Sequence, residues 1–157
     1  MLLQSVFKSE FIKVGMEAED KDEAFGELVD FFCKITKNSA KEEILGAIKK
    51  REAKMSTGIH KGIAVPHGKT NAVDDIRGVL GISGKGIVYD ALDGEPVNLL
   101  FMLITPLEDS EKYLRILKHL AELMENSQFY SDLKSQKDAE GAYRVLCKYE
   151  EMLASKG

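Results

Sequence analysis

Residues 97–105, VNLLFMLIT, are apolar at almost every position and are bracketed by Pro96 and Pro106. A run of this length would also suit a short helix. Prolines at both ends favour a strand, and a strand apolar on both faces belongs in the middle of a sheet covered on both sides. Working outward, all three prolines (Pro66, Pro96 and Pro106) and eight of the thirteen glycines lie between residues 58 and 106. This turn-rich interval contains three more strand-like runs: GIAVP at 62–66, the partly alternating IRGVLGIS at 76–83, and a fragment between glycines at 86–89. A weaker fifth strand is expected at 11–14.

The flanks, rich in Lys, Glu, Leu and Ala, read as helices. Asp20 and Glu23 form a capping-box pattern that opens a helix with Ala24, Leu28, Phe31, Phe32 and Ile35 at helical spacing. A second box, Ser39 with Glu42, opens one that buries Ile44, Leu45 and Ile48 and runs out near 51–53. Beyond the strands, Leu114, Leu117, Leu120, Ala121 and Met124 trace one apolar face. A short piece follows at 129–133, then Ala142, Val145, Leu146, Tyr149 and Leu153. Helices before and after a buried sheet predict an α/β layered fold, a single domain over residues 1–157.

A chain of 157 residues needs no disulfide or structural metal to bury a sufficient core. The net charge of −4 disfavours a general nucleic-acid or anionic-membrane binder. No apolar run reaches the ~18 residues of a membrane span, and the first ten residues lack the pattern of a secretion signal. Cys33 and Cys147 fall in helical patterns as small hydrophobes. A soluble, cytoplasmic protein is expected.

The histidines are His60, His67 and His119. His67 directly follows GIAVP and precedes Gly68, so it should be the first side chain past a strand end, a common place for sites in open α/β sheets. Pro66 stiffens the backbone entering it, and Gly68 permits a turn or a close backbone approach. Such an imidazole suits a nucleophile or general base. Upstream, Arg51 offers a planar fork that matches phosphate oxygens, Ser56 and Thr57 offer hydroxyls, and the glycines of STGIHKG offer backbone N–H groups. These donors fit an imidazole that carries a phosphoryl group, with its three acceptor oxygens. STGIHKG lacks the order of a nucleotide-binding P-loop, and no zinc-ligand spacing is present. No cofactor and no metal are expected.

Arg51-Glu52 followed by STGIHKGIAVPHGK (56–69) resembles the fructose/mannitol-type IIA component of the bacterial phosphotransferase system, nearest to its nitrogen-regulatory branch. KDEAFGELVDFF, the stretch from Asp93 to Pro106, and YLRILKHLAELM are similar to further parts of that family. The resemblance implies a mixed sheet between helix layers and a phosphohistidine carrier, transferase-like, with His67 as the phosphorylated residue. It implies that Arg51 steadies the phosphoryl group and that Thr57, with Ser56 beside it, supplies loop hydroxyls. The implied donor is the phosphocarrier HPr or a nitrogen-branch relative. The acceptor is either the cysteine of a IIB component in sugar uptake or a regulatory target protein. Where the family usually has a second histidine, this chain has Tyr113, which can donate a hydrogen bond but cannot become a cation. His60 stands where glycine is commoner, near the expected rim of the site. A module that binds partners without being phosphorylated is the rival reading.

Overall fold

The computed structural model describes residues 1–58, 61–108 and 110–156; His60 lies outside them. In chain order the elements are α1 (Leu2–Val6), a 3-10 turn (Ser9–Phe11), β1 (Ile12–Lys13), α2 (Lys21–Thr36), α3 (Lys41–Glu52), β2 (Ile63–Ala64), β3 (His67–Lys69), β4 (Arg77–Ile87), β5 (Val97–Thr105), α4 (Ser110–Met124), α5 (Ser127–Lys134) and α6 (Ala139–Lys156).

The stretch 97–105 is β5 itself, buried at every position. It pairs antiparallel with β4 and parallel with both β2 and β3, while β1 runs parallel to β4 on the far side. The sheet is therefore mixed, with β5 near its middle. Side chains alternate across a strand. Leu99, Phe101 and Leu103 join a core with α1, α4, α5 and α6, whereas Leu100, Met102 and Ile104 join a second core with α2 and α3. Two apolar layers on one continuous strand make this an α/β fold with helices on both faces, as expected for a strand apolar on both sides.

Several local expectations change. Asp20 caps α2 by accepting from the Glu23 N–H, but the Glu23 carboxylate reaches the N–H of Glu19, one residue earlier than a reciprocal box would. Ser39 does not cap α3. Its N-cap residue is Ala40, whose N–H donates to Asn38 Oδ1, because the chain leaves α2 through a left-handed Lys37 that brings Asn38 into that place. The run at 76–83 and the first half of that at 86–89 merge into β4, which ends at Ile87, with an irregular register between Ile82 and Ile87. On α4 the buried positions are Ile116, Leu120, Leu123 and Met124; Leu114 is 62% exposed and Ala121 faces solvent. The apolar spacing allows either face, and packing on the sheet selects the one that carries Ile116.

Helix α1 has no counterpart in the sequence reading. It is too short to stand alone, and it is held from a distance. The buried Glu150 carboxylate on α6 accepts from the N–H groups of Leu3 at 2.7 Å and Gln4 at 3.0 Å. No helix among the described residues is long and apolar enough to cross a membrane.

Candidate functional site

His67 does not hang past the end of the sheet; it opens β3, opposite Leu103 on β5. Both β2 and β3 run along β5, and Val65-Pro66 interrupts them. The Val65 N–H turns away to the Thr57 carbonyl at 3.0 Å, and the Pro66 carbonyl accepts from the Leu103 N–H at 2.9 Å. The Val65 carbonyl is left to accept from His67 Nδ1 at 3.0 Å. A carbonyl oxygen can only accept, so Nδ1 carries the proton and Nε2 keeps its lone pair. Burial lowers the His67 pKa from its ordinary 6.5, with the positive charge of Arg51 acting in the same direction and the Val65 bond opposing. The lowered pKa favours the neutral ring, in which Nε2 carries the lone pair.

His67 lines an open cleft of about 520 Å³ together with Arg51, Tyr113, Lys50, Lys54 and Lys69. Tyr113, in the first turn of α4, lies with its ring centroid 5.4 Å from that of His67. Arg51 comes from the last turn of α3, and its guanidinium Nη1 donates to the Met55 carbonyl at 2.7 Å. Gly68 explains how α3 comes so close. A Cβ there would stand 2.7 Å from the Ile48 nitrogen and 2.8 Å from the Ala47 carbonyl carbon. Only a residue without a side chain lets the α3 backbone rest on β3, one helical turn before Arg51. The close backbone approach expected at Gly68 is therefore present.

The cleft brings together three of the five site residues expected from sequence: His67, Arg51 and Tyr113. Thr57 is corrected. It is 3% exposed, and its hydroxyl sits between Glu52 Oε1 at 2.5 Å and the Tyr89 hydroxyl at 2.6 Å, so it is a strut of the interior and not a lining donor. The Ser56 hydroxyl accepts from the Gly58 N–H, a local turn bond outside the cleft lining. His119 belongs elsewhere, beside Glu122 and Glu150 in a separate cleft. Lys50, Lys54 and Lys69 were not singled out from the sequence. For Lys50 and Lys54 the run KKREAK at 49–54 is the available signal, but a basic residue such as Lys50 in a last helical turn is also what the helix dipole favours. Glu52 was missed as well, because nothing local marks a carboxylate as buried. Among the described residues, no group of three or more His, Cys, Asp or Glu is placed to hold a metal ion.

An imidazole with a free Nε2 lone pair among cations, beside a phenol, forms a cleft that favours anions. Residues 5–149 match the family described as "Phosphoenolpyruvate-dependent sugar phosphotransferase system, EIIA 2". The chain belongs to that family. Among its EIIA relatives, the fructose-specific EIIABC component of Bacillus subtilis is 27% identical over 150 residues, covering 96% of this chain but 24% of that longer protein. The nitrogen regulatory protein of Escherichia coli is 30% identical over 146 residues, 92% of this chain and 88% of the relative. The crystal structure of the nitrogen regulatory protein IIA-Ntr from Neisseria meningitidis superposes with a TM-score of 0.85 at 26% identity, over 93% of this chain and 99% of that one. The mixed sheet between helix layers is thus the EIIA fold.

Proposed function

We propose that this EIIA-type chain is a phosphoryl carrier that takes phosphate on His67 Nε2 from a phosphohistidine of an HPr-like donor protein. The Nε2 lone pair attacks phosphorus in line, the new N–P bond forms as the donor's N–P bond breaks, and that electron pair returns to the donor imidazole. Nδ1 keeps its proton on the Val65 carbonyl throughout. Phosphoryl transfer asks mainly for positioning and for charge placed around the equatorial oxygens. Arg51 and the neighbouring lysines supply the charge; the Tyr113 hydroxyl, held as a phenol by burial, supplies a neutral donor. The observation that carries this reading is the Nδ1 bond to Val65, which fixes the tautomer and leaves the nucleophilic nitrogen free in a cationic cleft.

The phosphate then passes to the cysteine of a IIB component or serves as a signal read by a target protein. The near end-to-end match to nitrogen regulatory relatives favours the second use. The exposed Leu107 at the cleft and the exposed Leu114 on α4 supply apolar surface for such an encounter.

The test is intact mass after incubation with phosphoenolpyruvate, enzyme I and HPr, or with the nitrogen-branch pair. The expected result is one acid-labile phosphate that vanishes in His67→Ala and persists in His119→Ala. A label that survives His67→Ala would overturn the assignment.

A further inference from the structure

We infer that Glu52 is a positioning residue for Arg51, acting through the turn that joins α3 to β2; this rests on the reading of His67 as phosphoryl acceptor. Glu52 follows Arg51 in sequence but turns inward. Its side chain is absent from the cleft lining, and the residue is 7% exposed. There its carboxylate accepts from three donors, Lys21 Nζ at 3.0 Å, the Thr57 N–H at 2.9 Å and the Thr57 hydroxyl at 2.5 Å, and the Tyr89 hydroxyl oxygen lies 3.3 Å away.

The proton count makes this arrangement directional. A carboxylate accepts only, so Thr57 spends its one hydroxyl proton on Glu52 Oε1 and must accept from Tyr89 across their 2.6 Å contact. Burial raises the Tyr89 pKa far above its ordinary 10.0, so that hydroxyl stays a donor. Lys21, at the start of α2, also lies 4.8 Å over the Tyr89 ring. One carboxylate thereby joins α2, the end of α3, the turn after it and the segment just past β4.

The connection to the cleft runs through Met55. Its carbonyl holds the Arg51 guanidinium at 2.7 Å, and it lies inside the segment 53–57 whose far end is fixed by the two Thr57 bonds to Glu52. The turn is tied twice, from 51 to 55 and from 57 to 52. Releasing the second tie frees the carbonyl that aims the first. A buried ion pair is seldom the most stable filling for an interior, since apolar residues of like volume often serve as well. A lasting gain here is geometry: the guanidinium is aimed before a phosphoryl group arrives.

A purely structural carboxylate and a positioning one separate in a double-mutant cycle. The initial rate of phosphate uptake is followed by intact mass, with phosphorylated HPr as donor, for the wild type, Glu52→Gln, Arg51→Ala and the double variant. Thermal stability is read in parallel. The expected result is that Glu52→Gln slows uptake roughly tenfold when Arg51 is present and by no more than about twofold when it is absent, because misplacement costs rate only while there is a group to misplace. The fall in Tm is the same in both backgrounds. Thr57→Val reproduces the selective slowing should Glu52→Gln fold poorly, and Thr57→Ser restores the wild-type rate. Equal slowing in both backgrounds, or none in either, would overturn the inference while leaving His67 as acceptor. A wild-type chain that takes no phosphate would overturn the acceptor reading itself.

Discussion

His67 and His119 make the same hydrogen bond. Each gives its Nδ1 proton to a backbone carbonyl, Val65 at 3.0 Å and Arg115 at 2.7 Å. Their surroundings differ in sign. His67 shares its cleft with Arg51 and three lysines, whereas His119 shares one with Glu122 and Glu150. A fixed tautomer is therefore common property of the two regions; what separates them is which charge the walls welcome. The cation-lined cleft suits an incoming phosphoryl group, and the acid-lined one repels it.

The sharpest way to break this contrast is to remove the arginine from each neighbourhood. Arg51→Ala is expected to slow phosphate uptake on His67 about 100-fold, the scale for losing one donor to developing charge. Arg115→Ala, whose side chain pairs with Glu111 on the surface, should leave the rate within about twofold. Comparable slowing in both would mean that the cations act only through the overall field of the protein.

Next in size is the spacing that delivers Arg51. Gly68→Ala drives a methyl into the α3 backbone and should cost about 1–3 kcal/mol of stability, as overpacked sites do. The same shift should lower the uptake rate roughly tenfold. Gly46→Ala on α3 meets nothing within 4 Å and is expected to be neutral or stabilising, by up to about 1 kcal/mol. Chemical denaturation with a parallel rate measurement separates the two.

On the other side of the molecule, Glu150→Gln should weaken the anchoring of α1 by about 1–2 kcal/mol, because one of two charge-assisted acceptors is lost. Uptake on His67 should not change. A buried carboxylate whose loss touches stability alone is the control for Glu52, whose loss is expected to touch rate.

The smallest effect is in pH. In the proposed transfer the neutral ring attacks, and burial lowers the folded pKa of His67 from 6.5. The uptake rate should therefore stay on its plateau through neutral pH and fall only with a midpoint below 6.5. Stability moves the same way. Between the lowered folded value and the ordinary unfolded one, the unfolded chain binds the proton first, so this group's contribution declines as the pH drops. His67→Gln should remove that part of the acid slope, and His119→Ala should leave the rate profile in place.

Much of this arrangement is visible in the chain itself, for reasons that can be named. The strand at 97–105 declares itself because apolar residues on both faces have only one comfortable place. Asp20 marks the start of α2 because a cap is a local bond. His67 and Arg51 stand out because their neighbours, Pro66 and Gly68 among them, restrict the backbone. What stayed hidden is non-local. The roles of Thr57 and Glu52 depend on Lys21 and Tyr89, which are distant in sequence, and α1 exists because of a carboxylate on the last helix. The exposed side of Leu114 follows from how α4 lands on the sheet, which no periodicity within α4 decides.

The break at Val65-Pro66 carries one more implication. Because the chain clamps its own imidazole with its own carbonyl, no visiting protein has to set the ring's orientation, on arrival or on departure. In the proposed exchange, loading and unloading would then meet the same preset acceptor, and the direction of traffic would be governed by how strongly each visitor holds its phosphate.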